Sequence, residues 1–163
     1  MVKKAIYTLG LLGALGLSTQ ALSDTRASLF LAGEVELIAN LFVNPTIGTT
    51  DLLDIVNGET GRQVATVDEE SNNAAGYTIS IESVNAGQLL HNDGTANTTY
   101  TISYDGGTNI APGALGAPVI VKTSGILTGL TTDNSIVLID VAPSALAIAG
   151  AYTDTLIFNM VAL

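Results

Sequence analysis

The sequence predicts an all-β protein, an antiparallel sandwich or barrel, on three observations. Short stretches alternate apolar and polar residues with a period of two, the period of a strand with one covered face. Turn signals recur between them, as in Asn57-Gly58, Asn92-Asp93-Gly94 and Asp105-Gly106-Gly107. Threonine, valine and isoleucine are plentiful, and long amphipathic helical patterns are hard to find. Short strands with frequent turns favour antiparallel pairing with Greek-key returns over βαβ units.

Along residues 24–43, Leu29, Leu31, Gly33, Val35, Leu37 and Ala39 alternate with Phe30, Ala32, Glu34, Glu36, Ile38 and Asn40. This predicts a strand with the first set on one face, while Glu34 and Glu36 keep the other face wet. A helix competes for the same stretch, and Gly33 argues against it. Asn44-Pro45-Thr46 is expected to stop the strand. Residues 52–56 are a short apolar run and a further candidate strand, followed by a turn over 57–61. Residues 62–67 predict a strand that ends in a solvated acidic and amide-rich loop, Asp68-Glu69-Glu70-Ser71-Asn72-Asn73. The clearest strand is 76–84, with Tyr77, Ile79 and Ile81 alternating with Thr78, Ser80 and Glu82. A short piece over 88–91 follows, then 99–104, where Tyr100, Ile102 and Tyr104 are expected inside and Thr99, Thr101 and Ser103 outside. Residues 111–117 hold Pro112, Gly113 and Gly116 and read as a loop. Residues 118–121 and 135–141 read as strands, with a weakly patterned threonine- and glycine-rich stretch before the second. Residues 143–150 are a linker. The last strand lies within 151–163, with Leu156, Phe158 and Met160 on one side and Ile157 and Val161 on the other, a pattern that suggests cover on both faces.

Lys3 and Lys4 precede an uncharged apolar run over residues 5–17, and Ala21-Leu22-Ser23 places small residues at the positions a signal peptidase reads. Residues 1–23 are therefore expected to be a secretory signal peptide, with an apolar run too short to span a bilayer comfortably. The remaining 24–163 suit one domain with a real core. All 15 acidic residues of the chain fall there, against Arg26, Arg62 and Lys122. That balance argues against a nucleic-acid partner and against docking on anionic lipid. The chain has no cysteine, so disulfide scaffolds, thiol nucleophiles and cysteine-ligated metals are excluded.

A chemical site is hard to find, and no catalytic residue, metal or cofactor is expected. His91 is the only histidine and reads as an exposed turn residue beside Asn92-Asp93-Gly94. No serine has the Gly-x-Ser-x-Gly context of a nucleophile elbow. One histidine without cysteine suits zinc poorly. Asp68-Glu69-Glu70 and Asp51-x-x-Asp54 are oxygen-rich, as calcium prefers, but neither matches an EF-hand loop. No phosphate-cradling glycine loop occurs. Asn97-Thr98-Thr99 is formally a glycosylation sequon, a pattern that chance often produces.

The feature with a mechanism is a relation between the two ends. A sandwich built from the middle of the chain that lacked one strand would expose an open edge, which proteins rarely leave uncovered. The N-terminal alternating segment of another subunit could fill it. Main-chain hydrogen bonds would bind, Leu31, Val35 and Leu37 would enter pockets, and Gly33 would fit where the acceptor comes close. The competing reading makes the same segment the first strand of a self-contained sandwich.

Several segments resemble the archaic chaperone–usher pilins and the related spore-coat-U-like secreted domains. Gly150-Ala151-Tyr152-Thr153-Asp154-Thr155-Leu156-Ile157-Phe158 is similar to that family's terminal strand. Gly76-Tyr77-Thr78-Ile79-Ser80-Ile81 and Thr99-Tyr100-Thr101-Ile102-Ser103-Tyr104 resemble central strands, and Leu31-Ala32-Gly33-Glu34-Val35-Glu36-Leu37 resembles the donor segment. The resemblance implies an incomplete immunoglobulin-like antiparallel sandwich over 40–163, completed by a donor strand from 24–39. The donor positions would be Leu29, Leu31, Gly33, Val35, Leu37 and Ala39. An acceptor-groove edge would lie over 152–162, at Tyr152, Leu156, Phe158 and Met160. The implied partners are a periplasmic chaperone, an outer-membrane usher, and further copies or sister subunits in a fimbria at the cell surface. The chain departs from the family in one respect: residues 40–45 carry no cysteine where members commonly have a disulfide. A monomeric secreted binding or matrix protein is the alternative.

Overall fold

The computed structural model describes residues 26–48 and 52–163, so the expected signal peptide and Asp51 lie outside the described residues. Two compact units divide the chain between Glu34 and Val35. In the first, the described residues 26–34 have no regular secondary structure. Among its described residues the second holds nine strands: β1 Ala39–Pro45, β2 Glu59–Ser71, β3 Tyr77–Ser83, β4 Gln88–His91, β5 Asn97–Tyr104, β6 Val119–Thr123, β7 Thr131–Val141, β8 Tyr152–Thr153 and β9 Leu156–Ala162. Pairing is antiparallel throughout, and the described residues contain no α-helix.

The strands form a β-sandwich-like pair of sheets, one ordered β1-β2-β7-β5-β4-β8 and the other β6-β3-β9. The core lies between them. Ile79, Ile81, Ile102, Val67 and Val137 are fully buried, with Tyr77, Tyr100 and Tyr104 beside them. The two-residue alternation in β3 and β5 supplies most of these side chains, as the sequence predicts; Val67 comes from β2 and Val137 from β7. In β2 the phase slips: register shifts fall between Glu59 and Arg62 and between Gln63 and Ala65, and Val64 and Ala65 are buried consecutively. A bulge gives one strand an extra residue, so two neighbours can face the same side. The turn into β3 needs Gly76, at φ +93°, where a Cβ would lie 2.5 Å from the Gly125 carbonyl oxygen.

Several expectations are corrected. The predicted strand over 24–43 becomes regular only at Ala39, and it runs through Pro45 rather than stopping before it. Pro45 is tolerated because β1 is an edge strand. Residues 52–56 form no strand. The loop over 111–117 contains a short 3-10 helix, Pro112–Gly116, that buries Leu115. Of the acidic loop expected over 68–73, residues 68–71 are instead the end of β2, with Glu69 and Ser71 buried, and only 72–73 lie outside a strand. Ser103, expected outside, is buried under the Asp105–Gly106 turn and donates to the Gly107 carbonyl at 2.8 Å. His91 is buried, not exposed. The last strand is covered on one face only: Leu156, Phe158 and Met160 pack on the core, while Ile157 and Val161 are exposed.

Candidate functional site

The sandwich has one long side where both sheets stop with unsatisfied backbone. β9 pairs only with β3, and β1 pairs only with β2. Ladder parity identifies the free groups. Val84 N–H bonds Thr155 C=O at 3.0 Å and Leu163 N–H bonds Gly76 C=O at 3.0 Å, at the two ends of the β3–β9 register. Alternation from these pairs turns the N–H and C=O of Ile157, Asn159 and Val161 toward β3, and those of Phe158 and Met160 toward the open side. In β1, the bonds Asn72 N–H to Ile38 C=O and Thr46 N–H to Val64 C=O fix the same parity. Leu41 and Val43 therefore present their backbone to the open side.

Between these edges lies an apolar groove of about 360 Å³. Val43 and Pro45 line one flank, and Leu156 and Phe158 the other. Its floor is core: Val64, Ala65, Leu89, Tyr100, Val137 and Ile139. Tyr152, Thr153, Asp154 and Thr155 close one end. Of the expected acceptor positions, Tyr152, Leu156 and Phe158 thus line the groove, whereas Met160 packs on the core further along β9.

The other free edges differ from β9. β6 is five residues long, its register slips between Ile79 and Ser80, and it carries Lys122. β8 has only two residues. Short length, a bulge and a lysine are the devices that blunt an edge against pairing. β9 has seven residues, a regular register and no charge or proline.

The expected donor positions lie in or beside residues with no partner strand. Leu29, Leu31 and Val35 are each more than 80% exposed, Leu37 is 63% exposed, and no atom comes within 4 Å of a Cβ built on Gly33. Phe30 on the alternate face is equally exposed. Ala39 is the first residue of β1. Glu36 and Ile38 are anchored by Asn72, whose side-chain Oδ1 accepts from Ile38 N–H at 2.7 Å and whose Nδ2 donates to the Glu36 carbonyl at 2.7 Å. The amide group acts as one more residue of β2 and keeps the chain extended in line with β1.

Three polar networks hold the sandwich, two of them at the end of the groove, and the sequence pattern conceals all of them. Glu69 is 1% exposed and ties the two sheets together. Tyr77 and Tyr104 donate to its oxygens at 2.6 Å each, Ser135 at 2.7 Å, and Lys122 Nζ lies at 3.0 Å. Burial alone raises a carboxyl pKa. Here the bonds from Tyr104, Tyr77, Ser135 and Lys122 outweigh it and hold Glu69 below its ordinary value. Both tyrosines are pushed up, by burial and by the bond to Glu69. Lys122 is raised, since its bonds to Asp133 and Glu69 overcome burial, and Asp133 is correspondingly lowered by Lys122. With two tyrosines, a serine and an ammonium on one carboxylate, Glu69 is a cross-sheet tie rather than a poised acid or base.

Asp154, at the groove end, accepts from Tyr100 Oη at 2.6 Å, Ser83 Oγ at 2.5 Å and the amides of Thr155 and Asn85 at 2.6 and 3.1 Å. It thereby fixes the corner where β8 hands the chain to β9. Beside it, His91 Nδ1 lies 2.6 Å from Asp93 Oδ1, and Nε2 lies 3.2 Å from the Ala149 carbonyl oxygen. The Tyr152 ring stands edge-on to the imidazole at 5.0 Å.

An open face of β1, β2 and β7 carries a second cavity, of about 550 Å³, around Phe42, Asp68, Glu70, Thr132, Asp133 and Asn134. Its acids are paired internally: Asn40 with Glu70, Asn44 and Asn134 with Asp68, and Lys122 with Asp133. No group of three or more metal-ligating side chains occurs among the described residues. No described helix is long and apolar enough to cross a membrane. No family model matches the chain, and no curated protein matches it.

Proposed function

We propose that the chain is a non-enzymatic structural subunit of a bacterial surface fibre, assembled by strand addition. Residues 29–35 of one subunit enter the groove of the next, pair with the open edge of β9 and complete the three-stranded sheet, while 36–39 stay on their own β2 through Asn72 and the Ala39–Ser71 pair. The observation that carries this reading is the match of two unpaired features in one chain. One is a regular, unblunted edge strand over an apolar groove; the other is an alternating segment with exposed Leu29, Leu31, Val35 and Leu37. An apolar groove beside free backbone groups is the receptor that strand addition requires.

The donor comes from another subunit for a reason of reach. Asn72 holds Glu36 and Ile38 extended, and 35–39 contains no turn residue. The nearest reversal point is Gly33, and a hairpin there sets 26–31 only beside 35–40, short of Val43 and Pro45 in the groove. A head-to-tail contact of this kind does not close, so it yields an open filament. The same reading places the subunit in the periplasm during export, with a chaperone and an outer-membrane usher as partners.

The test is size-exclusion chromatography with light scattering on the full chain and on the triple variant L31D/V35D/L37D. The expected result is multimers resistant to SDS for the first and monomers of unchanged fold for the second. A stable monomer from both would instead support a monomeric secreted binding or matrix protein.

A further inference from the structure

The corner that closes the groove is held by the one histidine of the chain. His91 ends β4, its side chain is 5% exposed, and both ring nitrogens face acceptors. Asp93 Oδ1, on the Nδ1 side, also accepts from the Thr95 amide and hydroxyl at 2.8 Å each. On the Nε2 side, the Ala149 carbonyl belongs to the segment that leads into β8. Gly150 lies flat against the ring: a Cβ there would fall 1.9 Å from Nε2. The next residues are tied to the same place, with Asn92 N–H on the Ala151 carbonyl at 2.9 Å and β8 paired to β4 through His91 and Tyr152. Tyr152 packs on the imidazole, closes a turn through its hydroxyl to Ile148 N–H at 3.1 Å, and lines the groove.

The Asp93 carboxylate and the Ala149 carbonyl are both satisfied only when both nitrogens carry protons; the Asp93 amide, at 3.3 Å, is the one donor that Nδ1 faces. From the geometry we infer that His91 is a pH-operated latch on the groove: protonated, it docks residues 143–151 and β8; neutral, it releases them and weakens strand capture. The inference rests on the strand-addition reading for its consequence, though not for the latch itself. When the ring loses a proton, the carboxylate of Asp93, the stronger acceptor, keeps the one on Nδ1. The bare Nε2 then faces the Ala149 oxygen lone pair to lone pair. Few groups dispute this control. Asp93 is the charged group acting on the ring, Tyr152 is the titratable group facing it from β8, and 143–151 contains no ionisable residue. The bond to Asp93 also raises the imidazole pKa against the opposing pull of burial, with the Ala149 carbonyl adding to the rise. The transition therefore lies above the ordinary 6.5. A groove wall that is fixed beforehand costs less to order on binding than a loosened one, so capture is stronger on the acid side.

The test is NMR on the monomeric variant L31D/V35D/L37D, whose groove is open, from about pH 5 to about pH 9, following the imidazole nitrogens and the hydrogen exchange of the Asn92 and Ile148 amides. A labelled peptide of residues 27–40 is titrated in parallel. The expected result is loss of the Nε2 proton with a faster exchange of both amides at one midpoint, and several-fold weaker peptide uptake above it. In Asp93→Asn the midpoint moves to lower pH. If the neutral ring instead keeps its proton on Nε2 and accepts from the Asp93 amide, 3.3 Å from Nδ1, the Ala149 bond survives and the latch is refuted. Unchanged amide exchange across the titration refutes it equally. A latch that opens while the peptide binds alike at both ends removes the regulation only. A peptide that binds at no pH removes the strand-addition reading and leaves the latch standing.

Discussion

At the scale of single residues, Glu69 sets the stability of the sandwich. Its carboxylate is out of water and bonded from both sheets, so Glu69→Gln leaves one acceptor oxygen where two stood, turns an NH2 donor against a tyrosine hydroxyl and takes the counter-charge from Lys122, which keeps Asp133. Breaking a buried charged network from one side costs about 3–5 kcal/mol. Glu69→Gln is expected to lose an amount in that range in urea unfolding, and Tyr104→Phe about 1–2 kcal/mol, as one buried bond to a charged group is lost. The pH dependence follows from the sign of each shift. Glu69 has a lower pKa folded than unfolded, so its contribution is full above its ordinary 4.5 and is lost as pH falls through the folded value. Asp93, lowered to about 2 mainly by the Thr95 amide and by His91, acts in the same direction. His91 has a raised pKa, so its contribution is full below 6.5 and is lost as pH rises through the folded value. Thermal melts across pH are expected to show an acid limb that Glu69→Gln flattens and a shallower alkaline limb absent from His91→Gln.

Individual elements explain why the sequence reveals some parts and hides others. β3, β5 and β7 are legible because each has one face on the core, so a two-residue period is written directly into Tyr77, Ile79, Ile81 and into Tyr100, Ile102, Tyr104. The end of β2 is not legible. Asp68-Glu69-Glu70 is polar at every position, and only the tyrosines and lysine brought from other strands make it an interior for Glu69. His91 is concealed for a similar reason: its partners Ala149 and Gly150 lie far along the chain, and a turn motif follows it directly. The alternating 29–37 misleads in the opposite way, since it has the pattern of a strand but no neighbour to pair with. At this scale the β8 corner gives a sharp prediction. Gly150→Ala drives a methyl into the His91 ring, and circular dichroism melts should show a loss of about 1–3 kcal/mol. Ile79→Ala, in the centre of β3, should cost about 2–5 kcal/mol by leaving a cavity between the sheets.

For the whole molecule, the sandwich has one long side, between β1 and β9, where both sheets end in open backbone. β6 and β8 are short or bulged, but β9 keeps a regular backbone edge above an apolar groove. The chain has no cysteine with which to secure such an edge covalently. Under the proposed strand addition, that edge becomes the joint between subunits. The most direct measurement is amide hydrogen exchange at Phe158 and Met160, whose N–H groups point to the open side of β9. They are expected to exchange fast in the monomeric variant L31D/V35D/L37D and to become strongly protected in assemblies of the full chain, while the already paired amides of Ile157 and Asn159 change little. Fast exchange at Phe158 and Met160 within intact assemblies would contradict strand addition and place the subunit contact elsewhere on the molecule.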